Sequence, residues 1–383
     1  MVDSQMTDAP VTRVLVMNTG SSSVKYQLIE LPSEAVIDKG QRDRVGVAGG
    51  DFETHRDAVK DILDSLPGDL SPDVIGHRVV HGGTRFSSPE IVTDSLLEEL
   101  EPLNALAPLH NPPSIAAIRA VADVLPETPQ VAVFDTAFFA ELPAVATDYT
   151  LPRDIQDRFG IRKYGFHGSS HEYVAHQVQD LVPAAGQDTR VIIFHLGNGS
   201  SVTALRGTTP IDTSMGFTPL PGLVMGTRSG DIDPSIALHL MRDGDFSTED
   251  MSTMLTKQSG LVGMSGVSDM RDLFERAESG DDSASHAIDV WVWRARHYLG
   301  AYIAHLGGLD VIVFTGGIGE NQETLRERIT EDMDFIGLHI DRHKNATASN
   351  SPRPISSADS DVAVWVIPTN EELHIARLAA RGL

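Results

Sequence analysis

The sequence predicts an α/β protein made of two related halves with an interdomain cleft. Three observations carry this. Short β-branched runs alternate with helical patterns along the chain. The segment TRVLVMNTGSSSV, beginning at Thr12, is echoed by TRVIIFHLGNGSSV, beginning at Thr189. The chain has 383 residues, more than one ordinary domain, and a repeat so widely spaced marks a duplicated half rather than a solenoid period. A boundary near Thr150 is expected, giving domains over 1–150 and 151–370, followed by a last helix over 371–383.

In chain order, Met1–Thr12 is polar with one proline and reads as a loose tail. Arg13–Met17 reads as a buried strand, Asn18–Ser23 as a polar turn and Val24–Ile29 as the returning strand. Val131–Phe134 and Arg190–Phe194 are further buried strands. The second runs through the turn His195–Ser201 into Val202–Leu205. Val292, Ala295, Leu299, Tyr302, Ile303 and Leu306 recur at helical spacing, and Gly307-Gly308 ends that helix. The strand Val311–Phe314 leads into a Gly-rich turn, Thr315–Asn321, and then a polar helix. The strand Val362–Ile367 is broken by Pro368, and Thr369 with Glu372 reads as a capping box for the last helix.

Composition narrows the function. Lys and Arg total 30 against 54 Asp and Glu, a formal charge of −24. Such a surface repels nucleic acid and anionic lipid, so neither is expected as a partner. An anionic substrate would need a locally basic pocket. The absence of cysteine excludes disulfides and thiolate chemistry and fits a reducing cytoplasm. No apolar run reaches the roughly 18 residues of a membrane span, and Met1–Thr12 lacks a signal peptide's features.

The two hairpin turns suit phosphate. Asn18–Ser23 offers successive backbone N–H groups and small side chains, and Lys25 shares a strand face with Ser23. In the second turn His195 and Asn198 can donate, while Gly197 and Gly199 permit close approach. Neither is a GxxxxGK[ST] loop, and GGIGEN is no dinucleotide fingerprint. Basic residues stand in short polar-apolar turns: Arg78 and His81 in GHRVVHGG, His110 in PLHNP, His167 and His171 in YGFHGSSH, and Arg228 in MGTRSGD. His77/His81 and His167/His171 also carry a zinc-like i, i+4 spacing, but no HExxH occurs and neighbouring glycines disfavour a helix. Asp135 ends a buried strand and Glu371 opens the last helix; each could hold Mg²⁺ or simply cap a helix.

Taken together, NTGSSSVKY, GHRVVHGG, APLHNPP, FDTAF, YGFHGSSH, HLGNGSS, DTSMGFTPLPGLVMGTRSGDIDP, FTGGIGEN and IPTNEE resemble the blocks of the acetate kinase family, in that family's order from Asn18 to Glu372. The resemblance implies two duplicated actin/Hsp70-like (ribonuclease H-like) βββαβαβα domains, a last helix over 371–383 that can pack back on the first domain, and a cytoplasmic homodimer. It also implies Mg²⁺, with Mn²⁺ as a substitute, and reversible direct transfer of the ATP γ-phosphoryl to acetate, giving acetyl phosphate and ADP. A propionate kinase and a non-catalytic nucleotide switch are the alternatives.

On the same resemblance, Arg78, His110, Asp135, His167, Asn198 and Arg228 are catalytic, and Asn18 and Glu371 hold the metal. Arg78 also binds the substrate, whose methyl pocket is Val80, Leu109, Phe166 and Pro219. The nucleotide is met by Ser21, Ser23, Lys25, His195, Leu196, Gly197, Asn198, Gly199, Asp269, Met270, Arg271, Gly317, Ile318, Gly319 and Asn321. Thr19, Phe139, Ser169 and Pro221 depart from residues frequent in the family.

Overall fold

The computed structural model describes residues 11–66, 68, 70–108, 110–183 and 185–382. Most of the expected tail, and the methyl-pocket residue Leu109, lie outside the described residues. The chain forms two compact units, one of Met1–Ala140 with Asn370–Leu383 and one of Glu141–Thr369.

In the first unit the strands are β1 (Thr12–Thr19), β2 (Ser23–Leu31), β3 (Ala35–Asp43), β4 (Val74–Val79), β5 (Glu90–Ile91) and β6 (Gln130–Phe134). They form one sheet in the order β3-β2-β1-β4-β6-β5. β1 and β2 make an antiparallel hairpin in which Asn18 faces Lys25, so the first strand runs past Met17 and the turn is shorter than Asn18–Ser23. β4 runs parallel to β1 and to β6. Leu15, Met17 and Leu28 from this sheet pack with Ile62 and Val121 from the helices His55–Ser65 and Asn111–Val124. Each such fully buried side chain contributes about 1.5–3 kcal/mol. Phe139 is fully buried, its ring edge against Phe138.

The second unit holds β7 (Arg190–Leu196), β8 (Ser200–Arg206), β9 (Thr209–Thr213), β10 (Val311–Thr315), β11 (Arg353–Pro354) and β12 (Ala363–Val366). Their order is β11-β12-β10-β7-β8-β9. Read from the hairpin outward, the two sheets have the same topology: β1-β2-β3 corresponds to β7-β8-β9, and β4, β5, β6 to β10, β11, β12. The short β5 and β11 each run antiparallel on the last strand. The echo between Thr12 and Thr189 is therefore a duplicated fold. The helix Asp282–Leu306 packs Trp291, Ala295, Leu299 and Tyr302 into this unit's core.

Three local readings are corrected. The Gly-rich stretch after β10 winds into a short helix, Gly316–Asn321, rather than staying a turn. His171 sits on a helix, Gly168–Leu181, despite the neighbouring glycine, because that glycine is its first residue. The last helix, Glu371–Arg381, is capped by Asn370, whose side chain accepts from the Leu373 N–H. Thr369 instead gives its N–H to Glu320.

Candidate active site

In the first unit the site lies at the carboxyl ends of three parallel strands. Asn18 is near the end of β1, Arg78 near the end of β4, and Asp135 directly after β6. Such ends are where open α/β sheets place ligands. Arg78 is thus a strand residue and not part of a turn. Its Nη2 donates to Asp135 Oδ2 at 2.6 Å and its Nε to Oδ1 at 3.2 Å, while Nη1 donates to Asn18 Oδ1 at 3.2 Å.

Glu371 joins them for a packing reason. Gly76 and Arg78 share one face of β4 by strand alternation. A Cβ on Gly76 would stand 2.9 Å from Ile375 Cγ2 and 3.2 Å from Ala379 Cβ, so the glycine lets the last helix lie against the strand. Glu371, Ile375 and Ala379 are spaced i, i+4, i+8 and form one stripe of that helix. The stripe ends at Arg78, with Glu371 Oε2 3.8 Å from Nε.

The electrostatics follow. Burial opposes the Arg78 charge, but Asp135 and Glu371 outweigh it and hold its pKa above the ordinary guanidinium value. Asp135 is fully buried and takes two of the donors. Glu371 is less well compensated: burial raises its pKa to about 7, with Asp135 and Glu372 adding to the rise and Arg78 opposing it.

The first hairpin turn lies in the same unit. The Gly20 N–H donates to the Ser23 carbonyl at 2.8 Å, and the His55 ring is 2.9 Å from the Gly20 carbonyl. Ser21 and Lys25 are exposed and Ser23 is half-buried. His110 is the N-cap residue of the helix Asn111–Val124, and Val80 is buried. The buried His77 ring is engaged by Gln130 Oε1 at 2.7 Å, and His81 Nδ1 accepts the Gly83 N–H at 3.0 Å.

In the second unit His167, His195, Asn198, Gly199, Pro219 and Arg228 gather around the β7–β8 turn. A Cβ on Gly199 would stand 3.3 Å from His167 Nε2 and 3.8 Å from Arg228 Nη1, so both side chains reach the same small space. Arg228 Nη1 also donates to the Pro219 carbonyl at 3.0 Å. The Gly226 N–H donates to the Asn198 carbonyl at 3.0 Å, fixing the turn against the Arg228 loop. His167 has φ of 58°, a left-handed conformation that costs a non-glycine residue about 1–3 kcal/mol. Phe166 and Leu196 are buried.

A cavity of about 570 Å³ opens beside that turn. It is lined by Gly197 and Asn198, by Ser268–Arg271, and by Gly317, Ile318, Asn321 and Gln322. Three separate stretches singled out in the sequence therefore share one wall, and Ser268 and Gln322 join them. Gly319 does not line it; its carbonyl accepts from the buried Arg326 at 2.7 Å. Asp269 caps the helix Met270–Glu278 and binds Arg271, whose hydrogen bonds hold the Asp269 pKa down at about 2.

The sequence reading passed over four side chains here. Arg326 also donates to Asn345 Oδ1 and to the Asn345 carbonyl. Glu320 accepts the Gly316 and Thr369 N–H groups. Ser170 meets His195 Nδ1 at 2.8 Å, and Ser201 meets both His167 and His171. Glu320, Ser170 and Ser201 lie inside the motifs FTGGIGEN, YGFHGSSH and HLGNGSS, and Arg326 lies five residues beyond FTGGIGEN, but a partner met only in the fold leaves no periodicity to find.

Comparison with known proteins adds to this geometry. The sequence model of the acetokinase family matches residues 13–377. An acetate kinase of Clavibacter sepedonicus is 47% identical, over 96% of this chain and 99% of the relative. One from Acetivibrio thermocellus is 43% identical over 96% and 98%. Among solved structures, Porphyromonas gingivalis acetate kinase superposes with a TM-score of 0.90 at 38% identity, covering 97% of this chain and 99% of that one. A propionate kinase from Francisella tularensis gives 0.90 at 40% identity over 97% and 100%.

Proposed function

We propose that this chain, which belongs to the acetokinase family, transfers the γ-phosphoryl group of ATP to acetate, reversibly, giving acetyl phosphate and ADP. The observation that carries the reading is the paired placement of cations. In a chain of charge −24, Arg78 is anchored by Asn18 and Asp135 at one set of strand ends, and Arg228 stands with His167 over Gly199. At neutral pH acetate is already a carboxylate, so the reaction needs no general base. The barrier is repulsion between anions, and it is lowered by fixed positive charge and positioning. Arg78 would neutralise and orient the carboxylate, Arg228 the transferring group, and His167 would donate to its oxygens. His110 and Asn198 are assigned beside them.

The second unit is the proposed nucleotide-binding domain and the first the acetate domain, with Lys25, Ser21 and Ser23 supplying its phosphate turn. The cavity of about 570 Å³ suits a nucleoside between Asp269–Arg271 and Gly317–Asn321. For the metal, Asp135, Glu371 and Asn18 offer hard oxygen donors around one guanidinium. Among the described residues no group of three or more His, Asp or Glu could hold an ion unaided. That fits Mg²⁺, which takes one or two carboxylates and completes its shell with water and substrate phosphates. Mn²⁺ suits the same donors. When bound, the ion would supply charge neutralisation at the phosphate oxygens.

Val80, Leu109, Phe166 and Pro219 are the proposed methyl pocket. One methylene is worth only about 1–3 kcal/mol there, so partial turnover of propionate is expected. We also assign a cytoplasmic homodimer. Its support is the helix Pro234–Asp243, which buries no residue and leaves Leu238 67% exposed.

The test is ADP release and hydroxamate formation with ATP, Mg²⁺ and acetate, propionate or butyrate. Acetate-dependent turnover is expected. Hydrolysis indifferent to the acid would replace this reading with a nucleotide switch, and a butyrate preference would overturn the pocket.

A further inference from the structure

The pair His167 and His171 converges on one hydroxyl. Ser201 Oγ lies 2.9 Å from His167 Nδ1 and 2.7 Å from His171 Nε2. Ser201 and His171 are both fully buried, Ser201 on β8 directly opposite His195. A serine hydroxyl carries one proton and two acceptor lone pairs; with that proton given to one of the two rings, it accepts from the other. Two arrangements satisfy this. In one, His171 Nε2–H donates to Ser201, whose hydroxyl donates to His167 Nδ1, leaving the His167 proton on Nε2. In the other, the direction is reversed and Nε2 of His167 keeps a bare lone pair.

We propose that Ser201, backed by His171, is a positioning residue that holds His167 in the tautomer with its proton on Nε2, aimed at the space over Gly199 that it shares with Arg228 Nη1. The inference rests on reading His167 as a donor to the transferring phosphoryl group. A lone pair there would face phosphoryl oxygens and repel them, whereas an N–H adds a donor beside the guanidinium. Burial, with His195 nearby, holds His171 well below the ordinary histidine pKa. Its ring is therefore neutral at neutral pH and carries a single N–H to give. The arrangement also explains why a hydroxyl and not a carboxylate stands at this point. A carboxylate would accept from Nδ1, force the opposite tautomer on a neutral ring, and bring negative charge to a site for anions.

The experiment is heteronuclear NMR of the histidine ring nitrogens in the full chain, with kcat and KM measured on the same samples. Wild type should show His167 protonated at Nε2 and accepting at Nδ1. Ser201→Ala should give a tautomer mixture and lower kcat by about 10–100-fold, taking as a guide the range for partners that orient metal-binding histidines, with KM for ATP little changed. A wild-type ring protonated at Nδ1, or an unchanged ring in Ser201→Ala, overturns the proposal. If Ser201→Ala does not fold, His171→Phe removes the ring donor and must shift His167 in the same way; an unshifted ring again overturns it. Adding Ser201→Ala to His167→Ala should slow the enzyme no further, and an additive loss counts against the relay. If His167→Ala keeps wild-type kcat, the phosphoryl reading fails by itself, and the ring nitrogens still decide whether the relay exists.

Discussion

Arg78 holds Asp135 through two donors, Nη2 at 2.6 Å and Nε at 3.2 Å, and this grip sets the character of the first-unit site. The acid is buried and the cation is fixed in direction, so the guanidinium is oriented before any substrate arrives. Pre-orientation of this kind lowers a barrier without reorganisation during the reaction. We expect Arg78→Ala, which removes the cation assigned to the carboxylate, to lower kcat/KM for acetate by about 10³–10⁵-fold, the range set by arginines that neutralise anionic groups in phosphoryl transfer. Steady-state kinetics on protein with an unchanged circular dichroism spectrum would check this. A loss below about tenfold would remove Arg78 from the chemistry.

Gly199 provides a second test. Its backbone is not strained, but an added methyl would stand 3.3 Å from His167 Nε2 and 3.8 Å from Arg228 Nη1. Gly199→Ala should fold normally and displace the His167 ring by a fraction of an ångström, with the new methyl in ordinary contact with Arg228. Because misplacement of about 1 Å can cost about 10²-fold, a fall in kcat of about 10–100-fold is expected, with the thermal midpoint unchanged.

His77 makes stability depend on pH. It is buried on β4 beside Gln130, and burial lowers its pKa to about 4. The unfolded chain takes up this proton as pH falls below about 6.5, while the folded chain resists until about 4. Glu371, raised to about 7 in the fold, works the other way, but at His77 the unfolded state binds more protons across that window, and the stability this residue contributes falls as pH falls through it, by up to about 1.4 kcal/mol per unit. His171 adds in the same direction. Urea unfolding near pH 7 and near pH 5 should show a smaller loss for His77→Gln, which can still donate to Gln130, than for wild type.

Arg326 supports the proposed nucleotide cavity from behind. It is 2% exposed and satisfies the Gly319 carbonyl and two oxygens of Asn345. Arg326→Met would leave these acceptors buried without a donor, at about 1–3 kcal/mol each. We expect a loss of at least about 2 kcal/mol in urea unfolding. KM for ATP should rise more than kcat falls, because the helix Gly316–Asn321 loses its brace.

Much of this was legible in the chain itself. The alternation of β-branched runs fixes the α/β class, and the echo of Thr12–Val24 in Thr189–Val202 marks the duplication. Small residues and glycines mark the β1–β2 and β7–β8 hairpin turns, because a tight turn leaves a local imprint. Tertiary structure alone decided the partnerships. Glu371 meets Arg78 only because a glycine at 76 admits the last helix onto β4, and nothing near either residue in sequence records that contact. Ser201 bridges two histidines from another element, and Arg326 braces a helix whose cavity it does not line. Periodicity reports which face of an element is buried; which side chain waits on the other side depends on packing between segments far apart in the chain.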